Sequence, residues 1–183
     1  MRVIAGEKKG IRLASFHHAS IRPTTDRVKE TIFNVLGEVT RASDVLDIFA
    51  GTGSLGIEAL SRGAARAIFI EKNPAAQKAI VQNIQLTGYD NKIDLLKMPV
   101  KRGMKLLAAR GQIFDLIFAD PPYADTVIDE TIHDIMTYNL LRQGGWFVLE
   151  HSVHSKINDS IYPLACRIKK SQGETEVSFY QNG

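Results

Sequence analysis

From residue 44 to residue 150 the sequence alternates short apolar segments with longer amphipathic ones, and this alternation constrains the fold more than any other feature. The apolar runs are typical of buried strands, and the segments between them have helical spacing. Strands alternating with helices of about 10–15 residues indicate a parallel sheet covered on both faces, hence an α/β protein. The predicted strands are 44–50, 66–71, 93–97, 114–119 and 145–150, and the predicted helices between them are 54–62, 74–86, 99–109 and 125–139.

The N-terminal part precedes this alternation. The pattern over residues 1–20 predicts a short basic β-hairpin, with strands at 2–5 and 11–14. Thr24 or Thr25 can then cap a helix over residues 26–38, whose apolar residues fall on one face.

The C-terminal part also differs from the alternation. Residues 165–170 and 174–180 predict two strands joined by a hairpin, which adds an antiparallel element at the end of the sheet. The length of the chain fits one domain with a full core. We therefore expect a single domain over residues 1–183, with a Rossmann-like core over 40–183 and the N-terminal hairpin as an extension.

The composition is ordinary for a soluble protein, with 44% hydrophobic and 23% charged residues. No apolar stretch reaches the ~18 residues of a membrane span, and the N-terminus lacks the pattern of a signal peptide. Cys166 is the single cysteine and the five histidines show no zinc-binding pattern, so no disulfide and no metal site are expected. These features predict a cytoplasmic protein without a membrane partner.

Basic residues are clustered, although the net charge is only +3. Clusters lie near the N-terminus, over residues 92–110 and over residues 167–170. Such clusters can neutralise the phosphates of a nucleic acid, and a solvated surface explains them equally well. The N-terminal candidates for contact with nucleic acid are Arg2, Lys8, Lys9, Arg12 and Arg22.

A glycine pattern follows the first predicted strand. Gly51, Gly53 and Gly56 match G-x-G-x-x-G, and Glu71 ends the second predicted strand. The glycines allow a tight turn and close approach of a ligand, and the carboxylate can accept ribose hydroxyls. The pattern predicts a nucleoside-bearing cofactor and does not distinguish NAD from others. The alternative is a glycine turn that packs a helix on a strand.

Asp47 favours S-adenosylmethionine over NAD as that cofactor. It lies in the strand four residues before Gly51, where an anion suits a ligand with an amino group and a sulfonium and opposes a pyrophosphate. The chain also lacks an obvious constellation for hydride transfer. Phe49, between these two residues, is assigned to the cofactor site and to the core.

The tetrapeptide Asp120-Pro121-Pro122-Tyr123 directly follows the apolar run 114–119. Two prolines cannot continue a strand, so they form a rigid turn at the carboxyl edge of the sheet. There Asp120 and the Pro121 carbonyl can accept the two N–H bonds of an exocyclic amine, while Tyr123 stacks on its ring. A Pro-Pro turn with a surface tyrosine is the structural alternative.

The stretch 47–53, Glu71 and the turn 120–123 together resemble the class I S-adenosylmethionine-dependent methyltransferases that modify exocyclic amines. The segments that narrow this resemblance are MRVIAG (1–6), RPTTDRVKE (22–30), FN (33–34) and LGIEALSRGA (55–64). With them, essentially the whole chain resembles the RsmD family, whose members methylate N2 of a guanine in bacterial 16S ribosomal RNA.

The resemblance implies a seven-stranded, mostly parallel sheet with an antiparallel last strand, the class I methyltransferase fold. It also implies S-adenosylmethionine bound over Gly51 and Gly53, with Glu71 on the ribose. Where such proteins often have Asp or Asn to contact the adenine amine, this chain has Met98. A thioether is a poor acceptor, so Met98 is expected to form an apolar wall and backbone groups to contact the adenine.

Together with the family resemblance, the 120–123 turn implies a mechanism. Asp120 and the Pro121 carbonyl orient the guanine amine for in-line attack on the methyl carbon, and Asp120 can receive the released proton. Tyr123 stacks on the base beside Pro122. The expected partner is ribosomal RNA, within an assembling small ribosomal subunit, and the protein is expected to be a monomer.

Residues outside the turn can assist. Arg22 and Thr24 precede the first helix and can contact RNA phosphate or the cofactor pocket, or simply cap the helix. Asn34 and Glu150 can line the crevice; for Asn34 a solvent-facing role is the simpler reading, whereas for Glu150 a backbone contact is an equal alternative.

Three other functions remain open from the residues alone. An adenine-N6 methyltransferase acting on DNA can use the same turn, although such enzymes commonly carry a recognition domain for which 183 residues leave no room. An NAD-dependent oxidoreductase fits the glycine pattern. A non-catalytic RNA-binding module fits the basic clusters, but it leaves the intact 120–123 turn unexplained.

Overall fold

The computed structural model describes residues 1–15, 25–122, 125–157, 160–161 and 163–183, without the side chains of Asp125, Ser160 and Ile161. The helices are α1 (Asp26–Leu36), α2 (Ser54–Ser61), α3 (Pro74–Thr87), α4 (Val100–Ala109) and α5 (Asp125–Thr137), with a 3-10 helix at Gly37–Thr40 after α1. The strands are β1 (Asp44–Ile48), β2 (Arg66–Ile70), β3 (Ile93–Leu96), β4 (Phe114–Ala119), β5 (Leu141–Ser152), β6 (Ser160–Ile161), β7 (Leu164–Gln172) and β8 (Thr175–Asn182).

The strands form a single sheet in the order β3-β2-β1-β4-β5-β8-β7-β6. Strands β1 to β5 are parallel, and β8 pairs antiparallel with β5. The predicted seven-stranded sheet with an antiparallel C-terminal strand is therefore confirmed. The two-residue β6, which pairs with β7, adds an eighth strand at the edge that is too short to give a periodic signal.

Helices cover both faces of the sheet and create two apolar cores. On one face, Phe69 and Phe118 pack with residues of α1, α2 and α3 and of the N-terminal hairpin. On the other face, Ile70 and Ile117 pack with α4 and α5. Successive residues of a strand point to opposite faces, so the alternation along β1, β2 and β4 decides which side chains share a face.

The helix boundaries follow local signals in the sequence. The Thr25 hydroxyl accepts the Val28 N–H at 3.2 Å and so caps the start of α1. Asn73 caps α3 in the same way, and Pro74 occupies the first position of that helix. The 26–38 helix is shorter than predicted because the chain tightens to a 3-10 turn at Gly37, which has a φ of 49°.

Strand β5 is longer than the predicted 145–150. The polar and glycine residues at 142–145 favour a turn in isolation, yet the backbone from Leu141 pairs with β4 through an irregularity between Phe114 and Leu116. Tertiary pairing with β4 and β8 therefore overrides the local preference.

The N-terminal hairpin docks on α2. Its two segments are joined by Val3 N–H to the Ile11 carbonyl at 3.0 Å and by Leu13 N–H to the Met1 carbonyl at 3.2 Å, which confirms the hairpin within residues 1–15. Fully buried Glu58 on α2 accepts the backbone N–H groups of Ile4 and Ala5 at 2.7 and 3.0 Å. The hairpin is therefore fixed to the domain by backbone contacts that do not depend on its basic side chains.

Within the ranges described above, no helix combines the length and the apolar character needed to cross a membrane.

Candidate active site

Four carboxylates lie in a row along the carboxyl edge of the sheet. Each stands two residues beyond a buried core residue on the face covered by α1 to α3, so the four side chains point to that same face. In the order of the strands β2, β1, β4 and β5, they are Glu71, Asp47, Asp120 and Glu150. Parallel strands bring their carboxyl ends to one edge, where ligands of open α/β sheets bind.

Asp47 is almost fully buried, with 3% of its surface exposed. Its Oδ2 accepts the backbone N–H of Gly56 at 2.9 Å, which ties the strand to the first turn of α2. Burial raises the pKa of Asp47 to about 8, with a further raising contribution from Glu71, while the Gly56 hydrogen bond lowers it. Asp47 thus both anchors the glycine loop and provides a proton-binding group beside it.

Glu71 holds the other side of the same loop. Its Oε2 accepts the Gly51 N–H at 2.9 Å, and its Oε1 accepts the Asn73 N–H at 2.7 Å. Each carboxylate oxygen can accept a second hydrogen bond, so this arrangement leaves capacity for ribose hydroxyls.

Glycine is required at the three positions of the loop pattern for different structural reasons. Gly51 and Gly53 have φ values of 57° and 74°, a left-handed conformation that side chains disfavour. Gly56 has no such constraint, but a Cβ there would lie 2.1 Å from Cε1 of Phe69. The loop therefore turns at the first two glycines, and α2 packs closely on β2 at the third, as the G-x-G-x-x-G pattern predicts.

Asp120 lies directly after β4 and is half-buried. Burial, followed by the charges of Glu150 and Asp47, raises the pKa of the Asp120 carboxyl well above its usual range. In the part of the chain that the structure describes, no cation lies within ion-pair distance of Asp120. Pro121 is buried and Pro122 is exposed, whereas Tyr123 lies outside the described residues.

Phe49 and Met98 are half-buried and pack against the core on the opposite face, the one covered by α4 and α5. Phe49 has a φ of 60°, which interrupts the strand alternation after Asp47. Met98 donates its N–H to the Leu96 carbonyl at 3.0 Å, in the loop after β3. Both residues adjoin the carboxyl edge, Phe49 between β1 and the glycine loop, and Met98 after β3, which lies next to β2.

The basic residues of the hairpin differ in availability. Lys9 and Arg12 are exposed, whereas Lys8 is half-buried, with its ammonium 2.9 Å from Glu7 Oε1 and 5.5 Å from the centre of the Tyr89 ring. Arg2 is exposed, with its Nε 3.3 Å from Asp26. Arg22 and Thr24 lie outside the described residues. Asn34 is exposed on α1, as the simpler reading of it predicts.

A cavity of about 440 Å³, which no motif in the sequence predicts, adjoins the end of β5. Its walls come from distant parts of the chain, namely the start of α1, the end of β5 and the turn between β7 and β8. The lining residues are Thr25, Arg27, Val28, Glu150, Ser171, Gln172, Gly173 and Thr175. Glu150 was a candidate from its position, but no local motif marks the other walls.

Among the described residues, no group of three or more His, Cys, Asp or Glu side chains is placed to hold a metal ion.

The sequence model of the family described as conserved hypothetical protein 95 matches residues 1–181. Ribosomal RNA small subunit methyltransferase D of Escherichia coli is 36% identical over 84% of this chain and 73% of its own length. The chain belongs to the RsmD family. The family predicted from the 22–30 and 120–123 segments is thus confirmed.

Two further matches extend the similarity over nearly the full length. The protein of the same name from Buchnera aphidicola subsp. Baizongia pistaciae is 31% identical over 98% of this chain and 89% of its own. A hypothetical protein of Thermus thermophilus has a TM-score of 0.80 at 28% identity, covering 98% of both chains.

A more distant structure bears on the fold alone. An RNA methyltransferase of Salinibacter ruber in complex with S-adenosyl-L-homocysteine has a TM-score of 0.69 at 15% identity, over 88% of this chain and 94% of that one. The predicted class I methyltransferase fold is confirmed by this likeness and by the RsmD relatives.

Proposed function

We propose that this protein transfers a methyl group from S-adenosylmethionine to the exocyclic N2 amine of a guanine in 16S ribosomal RNA. The observation that carries the proposal is the position of Asp120, which follows β4 at the carboxyl edge beside the glycine loop, in the row with Asp47 and Glu150. The relatives named as ribosomal RNA small subunit methyltransferases support the substrate class.

The loop fits S-adenosylmethionine as its cofactor. Gly51 and Gly53 allow close approach of the ligand, Glu71 can accept ribose hydroxyls, and Phe49 and Met98 provide apolar surface at the rim. The row of carboxyl groups suits a cation, which favours their ionised forms, and those ionised forms oppose the pyrophosphate of NAD. When bound, S-adenosylmethionine supplies an electrophilic methyl group, which N2 takes as the carbon–sulfur bond breaks.

Asp120 and the Pro121 carbonyl orient the guanine amine. The amine is a weak nucleophile because its lone pair is delocalised into the ring, and two acceptors that hold its hydrogens direct that lone pair toward the methyl carbon. After the N–C bond forms, N2 carries a positive charge and loses one proton. Asp120, whose pKa is raised by burial and by Glu150, can take that proton and release it to water.

Stacking and phosphate contacts complete the proposed site. A base must leave its own stack to reach this pocket, and Tyr123 provides a ring for it beside Pro122. The exposed cations Arg2, Lys9 and Arg12, with Lys8, Arg22 and Thr24, are proposed to contact RNA. The substrate is proposed to be an assembling small subunit in the cytoplasm, and the protein to act as a monomer.

The test compares wild type with Asp120→Ala at saturating S-adenosylmethionine, using small-subunit ribosomal RNA and mass spectrometry of the modified nucleosides. Removing a group that acts on the amine is expected to lower kcat about 10²–10⁴-fold, with little change in cofactor affinity. Asp129→Asn, at an exposed position of α5, is the matched control and should keep full activity. Near-wild-type turnover by Asp120→Ala contradicts the mechanism.

Two further measurements separate the rival functions. Methylation of adenine N6 in duplex DNA, without methylation of the RNA, favours the DNA enzyme. Calorimetric binding of NAD without binding of S-adenosylmethionine favours an oxidoreductase.

A further inference from the structure

The cavity beside the end of β5 has the size and position of a pocket for one nucleobase. Its volume of about 440 Å³ falls in the range of about 300–1,000 Å³ that is typical of small-ligand sites. Glu150 lines it from β5, and Thr25 and Arg27 line it from the start of α1. It therefore places a carboxylate on one side and an exposed guanidinium on another.

Glu150 brings this cavity next to the proposed catalytic turn. Ala119 of β4 lies opposite Leu149 of β5, so the next residues, Asp120 and Glu150, lie level on neighbouring strands. Side chains at paired positions of a parallel sheet point to the same face. A purine whose amine is held at Asp120 therefore extends toward Glu150.

A hydrogen bond between separate elements joins two walls of the cavity. Gln172, the last residue of β7, donates its Nε2–H to the Thr31 hydroxyl of α1 at 2.8 Å. Thr25 is fixed by its cap contact with the Val28 N–H. The turn between β7 and β8 is thus joined to α1, which fixes the shape of the pocket before a ligand enters.

The chemistry of Glu150 selects between purines. Guanine carries the N1–H donor next to its N2 amine, whereas the corresponding N1 of adenine or 2-aminopurine is an acceptor. An ionised carboxylate can only accept hydrogen bonds. Glu150 is 6% exposed, and a buried carboxylate that faces a base without N1–H leaves two acceptors opposed.

We propose that this cavity receives the target base and that the Glu150 carboxylate accepts the N1–H of guanine, which makes Glu150 the residue that selects guanine over other purines. The proposal rests on the function proposed above and adds the residue that determines base specificity. Exposed Arg27 at the rim is placed to meet the phosphate of the same or an adjacent nucleotide.

The experiment uses small-subunit ribosomal RNA ligated from synthetic pieces, with guanine or 2-aminopurine at the methylated position. Both bases carry the 2-amino group, but only guanine carries N1–H. Wild type is expected to prefer guanine about 10- to 100-fold in kcat/KM, the range for a lost hydrogen bond to a charged group. Glu150→Gln, whose amide can donate to an unprotonated N1, is expected to reduce that preference about 10-fold or more.

Glu174→Gln is the matched control. Glu174 is exposed in the turn between β7 and β8, which forms one wall of the cavity, but its side chain does not line the cavity. It should retain the wild-type preference. An unchanged preference in a folded Glu150→Gln variant overturns the proposal, and so does equal use of the two bases by wild type, a measurement that needs no variant. If wild type methylates neither base at N2 in an RNA that it binds, the function proposed above fails instead.

Discussion

The side chain of Asn83 on α3 donates its Nδ2–H to the backbone carbonyl of Thr52 at 2.9 Å, in the middle of the glycine loop. The same amide group pairs with Ala14 at the end of the hairpin, accepting its N–H at 2.6 Å and donating to its carbonyl at 3.1 Å. Asn83 is fully buried. Asn83 therefore joins the N-terminal hairpin to the loop proposed to bind the cofactor.

Asn83→Ala is expected to weaken both parts at once. The substitution removes the side-chain partner of the part-buried backbone groups of Thr52 and Ala14. The cost is up to about 1–3 kcal/mol of unfolding free energy for each group that water does not reach. S-adenosylmethionine should bind several-fold more weakly, because the loop loses a constraint. Denaturant unfolding and calorimetry check these effects, with Asn91→Ala, at an exposed position, as the control. Unchanged cofactor affinity in a destabilised variant would show that Asn83 has a structural role alone.

Asp47 is expected to make stability fall as the pH rises. Its pKa of about 8 in the folded protein lies above the unfolded value of about 3.9, so the folded state binds more protons between these values. The free energy of unfolding should therefore decrease by up to about 1.4 kcal/mol per pH unit in that window. Asp47→Asn keeps an oxygen that can accept the Gly56 N–H and removes the titration.

The measurement is denaturant unfolding from pH 5 to pH 8.5 for wild type and Asp47→Asn. The difference in slope between the two proteins should shrink in saturating S-adenosylmethionine, because a bound cation favours the ionised carboxyl. Parallel curves for the two proteins would mean that Asp47 ionises at its ordinary pH despite its burial.

The acid limb of the pH–rate profile should report Asp120. The amine needs acceptors, so the ionised form of Asp120 is the active one and kcat/KM should rise with pH through its pKa. Burial, Glu150 and Asp47 raise that pKa, in this order. Removing either neighbouring charge, by Glu150→Gln or Asp47→Asn, is expected to move the acid limb to lower pH. A shift to higher pH in both variants would contradict this account.

The exposed cations of the hairpin should control RNA affinity and not cofactor affinity. Replacing Lys9 and Arg12 together with Ala is expected to weaken RNA binding and to reduce the slope of log K against log salt by about 2 or less. Filter binding at several salt concentrations measures this slope. Lys156→Ala, an exposed cation near the other end of the chain, should leave it unchanged. Weaker binding of S-adenosylmethionine in the double variant would instead indicate a folding defect.

Much of the site could be predicted because each part is local. The alternation of strands and helices implies that the carboxyl ends of β1, β2, β4 and β5 share one edge, so residues at those ends lie near one another without any knowledge of packing. Gly51 and Gly53 have positive φ values, which glycine alone adopts readily, so the residue type by itself indicates a turn at these positions.

The partners of the predicted residues could not be found in this way. The sequence indicates that Asp47 and Glu71 face a crevice, but only packing assigns their oxygens to the N–H groups of Gly56, Gly51 and Asn73. The sequence does not distinguish Lys8 from Lys9 as candidates for RNA contact. In the structure Lys8 is engaged by Glu7 and the Tyr89 ring.

The sequence alone determined the α/β class and the edge of the sheet that carries the proposed site, since both depend on periodicity. It also predicted a turn after Asp120 from the stereochemistry of two consecutive prolines. Tertiary structure decided the cavity between Thr25, Glu150 and the 171–175 turn, and the joining of Ala14 to Thr52 through Asn83. These contacts connect residues far apart in the chain, and no local pattern encodes which distant surfaces will meet.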